Sequence, residues 1–256
     1  MQINEAFDKY YGSIYGNRWP LLRDSLMLPS KTIPYCGSLK KPYMLDRASV
    51  LAAQSLRLPE QGIILDACAA PGGKSLVIAS AMGKNSKLVS NELSGDRLRI
   101  LKKILDGHLD EGTRTQVSVT CIDAARMGSM KNEMEKYDAI LIDAPCSSER
   151  HVIQDEKALK QWTAARPRFL SGRQWSLLSA AFLMLKPGGS LVYSTCAITP
   201  EENDSVAKRL FRKYENTVAP DEPDFCEGEK TEYGRIILPD ACGGIGPMYV
   251  ARFIKT

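Results

Sequence analysis

The chain has 256 residues, 44% hydrophobic and 25% charged, with a formal net charge of +4. These values exclude a disordered chain or a small stapled scaffold and leave one sizeable α/β domain plus an extension. Mild basicity permits a polyanionic partner without requiring one.

Seven cysteines occur without a Cys-x-x-Cys pair or a Cys/His cluster at zinc spacing, so no metal site is expected. The opening residues, Met1-Gln-Ile-Asn-Glu-Ala-Phe7, lack the basic start and apolar run of a signal peptide. No apolar run reaches the roughly 18 residues that span a bilayer. Free thiols in a reducing cytoplasm, away from any membrane, are the expected setting.

In chain order, residues 1–45 are rich in Tyr, Trp, Pro and basic side chains and lack a strand-like run. They read as an N-terminal extension, partly helical around Glu5 to Tyr15. Asp46 then caps a helix from Arg47 to Leu58, which Pro59 helps to stop. From Gly62 strands and helices alternate. Ile63 to Leu65 is a buried strand, followed by a Gly-rich turn and a helix from Lys74 to Ala81. Lys87 to Ser90 is the second strand. Ser94 caps the next helix, whose Leu98, Leu101, Ile104 and Leu105 form an apolar stripe ended by Gly107. Gln116 to Ile122 and Tyr137 to Ile142 are the third and fourth strands. Gly172 to Leu185 is an apolar helix closed by Pro187-Gly188-Gly189, and Ser190 to Thr195 is the fifth strand. Thr199-Pro200-Glu201-Glu202 combines a capping hydroxyl, Pro at the first helical position and an acid three residues after the cap, which predicts a helix start. Arg235 to Leu238 and Met248 to Phe253 pair as an antiparallel hairpin. The alternation predicts a doubly wound, Rossmann-like, mostly parallel sheet.

Two segments stand out in charge. Residues 149–173 carry six Lys or Arg against three acids, with Trp162 and Phe169 interleaved. Residues 215–232 carry seven acids against Lys230. Both can be solvated faces, and the first can also be a flap that guides RNA.

Cys146 and Cys196 each lie just past a strand. If those strands are parallel neighbours, about 5 Å apart, both thiols and Asp143 meet at the rim where open α/β sheets bind ligands. A thiolate there suits nucleophilic attack on carbon; the alternative is a pair of buried, inert thiols. Asp66-Ala67-Cys68-Ala69-Ala70-Pro71-Gly72-Gly73-Lys74 follows the first strand and opens a helix. Its glycines would let the backbone approach a ligand, and the helix N-terminus favours a carboxylate. The spacing is neither the dinucleotide fingerprint nor a phosphate-binding P-loop. Glu92 ends the second strand, where an acid accepts from both hydroxyls of a ribose. A nucleoside with a short zwitterionic tail, such as S-adenosylmethionine, fits this rim, which Asp123 and Asp143 complete. Any one of these acids can instead cap a helix or turn.

Four signatures, Asp66-Ala-Cys-Ala-Ala-Pro-Gly-Gly-Lys74, Asn91-Glu92-Leu-Ser-x-x-Arg97, Asp143-Ala-Pro-Cys146 and Tyr193-Ser-Thr-Cys196, resemble in order and spacing the RNA cytosine-C5 methyltransferases of the Nop/Sun (Fmu) family. The resemblance covers about residues 44–256. It is nearest the short branch that includes the mitochondrial-ribosomal enzyme, through Phe7-Asp-x-x-Tyr-Tyr11, Trp19-Pro-x-x-Arg23, Ser147-Ser-Glu-Arg-His151 and Gly246-Pro-Met-Tyr249. It implies an N-terminal extension over 1–45 and an S-adenosylmethionine-dependent catalytic domain over 46–256.

It also implies that Cys196 attacks cytosine C6, that Cys146 assists breakdown of the covalent adduct, and that Asp143 contacts the ring near N3. Lys74 would lie near enough to lower a thiol pKa. The loop Cys68, Ala69, Ala70, Pro71, Gly72, Gly73 and Lys74 would line the cofactor, the last three against its methionine part. Glu92 would hold the ribose, and Arg97, Asp123 and Ala124 would complete the nucleoside pocket with Asp143. Glu at 92, Ala at 124 and Ser at 75 depart from the commoner Asp, Gly and Thr.

The implied substrate is ribosomal RNA, with transfer RNA as the alternative; a protein partner stays open. DNA cytosine methylation is disfavoured, because DNA enzymes use the Pro-Cys thiol as nucleophile. A ribosome-assembly scaffold on a dead methyltransferase fold is disfavoured by the complete set of functional residues. Cys36, Cys68 and Cys121 are expected in core or loop, Cys226 and Cys242 show no readable role, His108 is a surface residue, and His151 is a candidate for RNA contact.

Overall fold

Apolar runs buried on both faces build the central sheet of the computed structural model, which describes residues 4–256. The N-terminal part comprises α1 (Glu5–Tyr15), a 3-10 turn (Gly16–Arg18), α2 (Trp19–Met27), β1 (Thr32–Tyr35), β2 (Tyr43–Asp46) and α3 (Arg47–Gln54). Next come β3 (Ile63–Asp66), α4 (Gly73–Ala81), β4 (Lys87–Asn91), α5 (Gly95–His108), α6 (Glu111–Thr115) and β5 (Val117–Thr120). The chain continues through α7 (Ala124–Met127), β6 (Tyr137–Asp143), α8 (Glu149–Gln154), α9 (Glu156–Gln161), α10 (Ala165–Met184) and β7 (Leu185–Thr195). It ends with α11 (Asp204–Lys213), β8 (Val218–Asp221), β9 (Glu229–Lys230), β10 (Arg235–Ile237) and β11 (Met248–Lys255).

The main sheet has the order β5-β4-β3-β6-β7-β11-β10-β9, with β8 on β11. The run β5 to β7 is parallel. β11 is antiparallel to β7, β8 and β10, as the predicted C-terminal hairpin requires. Side chains alternate between two cores. Ile64, Leu88, Leu141 and Val192 pack with Ala48, Leu76 and Leu101. Leu65, Ile140, Ile142, Leu191 and Tyr193 pack with Leu178 and Phe182 of α10 and Val206 and Leu210 of α11. This is the doubly wound, Rossmann-like sheet the alternation predicts. Among the described residues no helix is long and apolar enough to cross a membrane.

The N-terminal helices dock rather than dangle. Phe7, Tyr11, Trp19, Leu22 and Leu26 are buried against Val152, Ile153, Leu159 and Trp162. At roughly 1.5–3 kcal/mol per buried large apolar side chain, that face outweighs anything a loose arm could gain from surface charge.

Several expectations need correction. The N-terminal region contains strands after all, because β1 and β2 pair antiparallel from Thr32↔Asp46 to Tyr35↔Tyr43. Pro34 hid them, since proline inside a run argues against a strand unless the ribbon has a free edge. Asp46 does cap α3, accepting from Ala48 N, but the helix ends at Gln54. Helix α10 begins at Ala165 rather than Gly172, and β7 starts at Leu185 rather than Ser190. Helix α11 starts four residues after Pro200, because Glu202 is fully buried and turned toward Ser147 and Gln174 instead of capping its own helix. Trp162 is core, leaving Phe169 as the exposed aromatic of the basic segment. The acidic segment is held by arginines: Asp221 pairs with Arg57, Asp224 with Arg252, Glu227 with Arg47, and Glu229 with Arg18.

Candidate active site

β4 follows β3 on one side and β6 lies on its other side, so the chain reverses direction between β3 and β6. Such a switch point leaves a crevice beyond the strand ends. In-register pairing of Asp66 with Leu141 and of Asp143 with Ser194 brings the loops after β3, β6 and β7 to one rim.

At that rim Cys146 Sγ lies 2.9 Å from Cys196 Sγ, and Ser148 Oγ stands 3.5 Å and 3.3 Å from the two sulfurs. The pair does not share charge evenly. The hydrogen bond from the Cys146 thiol lowers the Cys196 pKa, overcoming burial, with Ser148 helping. The same bond, then burial, pushes the Cys146 thiol well up. Cys196 is therefore the thiol that ionises first, with Cys146 as its donor.

Asp143 Oδ2 accepts from Lys74 Nζ at 2.8 Å, and its Oδ1 accepts from Ser194 Oγ at 3.1 Å. Lys74 also reaches Ser49 Oγ at 3.3 Å. Burial opposes the ammonium charge, but the Asp143 carboxylate outweighs it and the Lys74 pKa is raised. Below this pair, burial pushes Asp66 up to about 7, against the hydrogen bond from Ser75.

Three overlapping cavities run along the crevice. One of about 280 Å³ is lined by Asn91, Glu92, Arg97, Ile122, Ala124 and Arg173. One of about 190 Å³ is lined by Leu45, Asp66, Ala69, Pro71, Gly73 and Lys74. One of about 420 Å³ joins them to Asp143, Cys146 and Cys196, and Cys68 lines all three. Beyond the thiols a cavity of about 330 Å³ opens between Asp46, Arg150, His151 and Gln154, with Cys196 in its wall.

Most of the sequence-named residues therefore converge on one crevice: Cys68, Ala69, Ala70, Pro71, Gly73, Lys74, Glu92, Arg97, Ala124, Asp143, Cys146 and Cys196. Glu92 is buried, accepts from Ser94 N at 2.9 Å and pairs with Arg97 at 3.4 Å. Arg97 also donates to Ala70 O at 2.6 Å, tying the β4 loop to the β3 loop.

Gly72 and Asp123 stand outside these linings. Asp123 caps α7 through Ala125 N and pairs with Arg173 at 2.6 Å. That hydrogen bond holds its carboxyl below the ordinary value. Gly72 has φ +122°, a backbone conformation that other residues rarely adopt, and a Cβ on Gly73 would press on the Leu45 side chain.

Cys68 is no competitor to Cys196, because burial and the neighbouring carboxylates push its thiol far up. Cys36, Cys121 and Cys226 are exposed, and Cys242 packs at the edge of the core. His108 is half-buried rather than free, bonded to Lys41 O and set edge-on to Tyr43. Sequence reasoning missed Ser49, Ser148 and Arg173. Ser148, two residues past Cys146, and Arg173, at the end of the basic 149–173 segment, sat in stretches already singled out; Ser49 did not.

A sequence model of the family described as 16S rRNA methyltransferase RsmB/F matches residues 53–254. The ribosomal RNA small subunit methyltransferase F of Aeromonas salmonicida is 39% identical, over 70% of this chain and 37% of that protein. The 5-cytosine rRNA methyltransferase NSUN4 of Mus musculus is 32% identical, over 82% of this chain and 59% of that protein. The mitochondrial tRNA (cytosine(34)-C(5))-methyltransferase of Danio rerio is 32% identical, over 91% and 65%. The chain thus spans roughly a third to two thirds of the length of these curated relatives. Among solved structures, NSun6 from Pyrococcus horikoshii with SFG superposes with a TM-score of 0.71 at 25% identity, over 87% of this chain and 56% of that one. A methyltransferase homolog protein from the same organism gives 0.74 at 21% identity, over 99% and 96%.

Proposed function

The chain belongs to the 16S rRNA methyltransferase RsmB/F family, and on that premise we propose that it methylates carbon 5 of cytosine in RNA, ribosomal RNA first. The observation that carries this is the 2.9 Å thiol pair beside Asp143 and Lys74, between the crevice and the outer cavity.

S-adenosylmethionine is the methyl donor, and the residues present fit it. An apolar-walled cavity at Ile122, Ala124 and Leu177 suits an adenine, and buried Glu92 at its rim suits ribose hydroxyls. Lys74 and the N-terminus of α4 favour the carboxylate of its amino-acid end. When bound, the sulfonium supplies an electrophilic methyl group.

Carbon 5 of cytosine is too weak a nucleophile by itself. Cys196 thiolate adds to C6, forming a C–S bond and shifting the ring electrons to C5, which then takes the methyl group. Asp143, held by Lys74 and Ser194, would accept from the ring near N3, stabilising its protonated form as the adduct develops. The C5 proton then passes to a base and its electron pair expels Cys196 from C6 as thiolate. We assign Cys146, the thiol left beside the adduct, to assist that departure by donating its S–H to the leaving sulfur.

Residues 46–256 carry this chemistry, and Phe169, Arg166 and Arg168, exposed on the first turns of α10, offer a stacking and phosphate-binding surface. Seven free cysteines suit a reducing compartment such as the cytoplasm. Transfer RNA is the second substrate reading, from the Danio rerio relative. Labelled methyl transfer to purified RNA and DNA, followed by bisulfite mapping, tests the proposal. Label at C5 of RNA cytosine is expected; label in DNA alone, or none in either, contradicts it.

A further inference from the structure

Behind the thiols lies a second pair of reactive-looking groups that the chemistry above does not use. Glu149 and Glu202 are both fully buried, 53 positions apart in sequence, and both carboxyls meet the single hydroxyl of Ser147. Ser147 follows Cys146 directly. The environment supplies donors to most of the remaining oxygens. Glu149 Oε1 accepts from Tyr11 OH at 2.5 Å and Glu149 Oε2 from Ile198 N at 3.2 Å. Glu202 Oε2 accepts from Ser147 N at 3.0 Å and from Gln174 Nε2 at 2.7 Å. The other hydrogen of that Gln174 amide goes to Pro145 O at 2.9 Å.

Counting hydrogens identifies the protonation state. Ser147 Oγ owns one hydrogen yet contacts an oxygen of each carboxyl, so one carboxyl must itself donate. Glu149 Oε1 already receives Tyr11 OH, and its other oxygen receives Ile198 N, which is the pattern of a carboxylate. Glu202 Oε1 has Ser147 Oγ as its sole partner, so the proton belongs there. The chain then runs Glu202 O–H to Ser147 O–H to Glu149 carboxylate, with no donor left over. Burial, then the Glu149 charge, pushes Glu202 up to about 7, which agrees with the count. Burial also raises Glu149. The titratable groups facing the pair are Tyr10, Tyr11 and Tyr15 from α1, Tyr193 from β7, Cys146 and Cys196, and Glu201 beside Glu202. Among the described residues no Lys or Arg forms an ion pair with either carboxyl.

The network grips both thiol loops: Pro145 and Ser147 flank Cys146, and Ile198 lies two residues past Cys196. We propose that Glu149, as carboxylate, and Glu202, as neutral acid, are positioning residues that share one proton through Ser147 and fix the approach of Cys146 to Cys196. This role rests on the assignment of those cysteines as the reacting thiols.

The two acids then respond oppositely to amide substitution. Glutamine at 202 presents an N–H where the acid O–H stood and a carbonyl where two N–H groups donate. Glutamine at 149 either faces Ile198 N with an N–H or donates to the Tyr11 and Ser147 hydroxyls, which turns the Ser147 hydrogen onto the Glu202 O–H; either way one buried donor is left over. Cys196 alkylation by iodoacetamide, followed against pH on the Cys196 peptide by mass spectrometry, reads the thiol pair without RNA. Glu202→Gln is expected to keep the wild-type midpoint and lose less than about fivefold in methylation rate. Glu149→Gln removes a charge that raises Cys196, but it also loosens the Cys146 hydrogen bond, the larger influence, which lowers it. The midpoint is therefore expected to rise and methylation to fall about 10- to 100-fold, as when a buried donor is left unpaired. Should Glu149→Gln fail to fold, Tyr11→Phe removes one donor from Glu149 and should move the same midpoint less.

The sign with pH follows from the raised Glu202 value. The folded state binds the proton more tightly than the unfolded chain. Its stabilising contribution is complete below the ordinary Glu pKa of about 4.3 and lost as pH rises through about 7. Melting temperature measured from pH 5 to 8.5 should therefore show Glu202→Gln gaining on wild type as pH rises. Equal midpoints for the two glutamine variants, or a melting difference independent of pH, would overturn the shared-proton role. Neither the alkylation midpoint nor the melting temperature uses RNA or methyl transfer, so the proposed reaction can fail separately.

Discussion

At the ends of β3 and β4 the functional groups are organised by their own loops: Glu92 accepts from Ser94 N two residues on, and Arg97 closes the gap to Ala70 O. At the ends of β6 and β7 the cysteine loops are held by side chains from far away. Tyr11 reaches Glu149 across 138 positions, Tyr15 reaches Ile198 O across 183, and Tyr10 meets Thr199 across 189. All three hydroxyls come from α1. A cofactor crevice can be built from local turn and cap geometry, because its ligand supplies much of the shape. Two sulfurs that must keep a fixed distance need support from segments that do not move with either loop.

This contrast can be broken or sharpened experimentally. The largest effect is expected at the thiols. Cys196→Ser should lower methyl transfer by on the order of 10³-fold or more while leaving cofactor affinity at the wild-type value, as calorimetric titration would show. Next, Glu92→Ala should weaken cofactor binding by about 10- to 100-fold, the value of charge-assisted hydrogen bonds. It should leave the pH midpoint of Cys196 alkylation in place. A shift of that midpoint would erase the distinction between the two regions.

The N-terminal helices give the converse test. Tyr15→Phe removes the bond to Ile198 O and should slow methylation about fivefold with unchanged cofactor affinity. Equal losses in affinity and rate would show that α1 supports the whole sheet rather than the thiol side. Smallest is Phe169→Ala on the exposed start of α10. It should weaken RNA binding by about threefold without altering melting temperature, measurable by filter binding at fixed salt.

The same contrast explains what the sequence disclosed. The alternation of strands, the 68–74 loop, Glu92 and the two cysteines are local patterns, each readable within about ten residues. The β1–β2 ribbon was hidden by Pro34, and the helix signal at Thr199 to Glu202 was locally sound. Tertiary structure overrode it because Glu202 bonds Ser147 and Gln174 instead. Trp162 resembled an RNA-stacking residue only until α1 covered it, with Phe7 set edge-on to its ring at 5.0 Å. Asp123 carried the right residue type for a nucleoside, but nothing local announced its pairing with Arg173, fifty positions on. Partners this distant leave no periodicity or spacing to read.

The division of labour between the sulfurs is tested most directly by mixing the protein with RNA and methyl donor and running denaturing gels. Cys146→Ala should trap a protein–RNA adduct that survives denaturation, and Cys196→Ser should trap none. An adduct in the Cys196 variant, with none in the Cys146 variant, would reverse the roles of the two thiols and contradict the account.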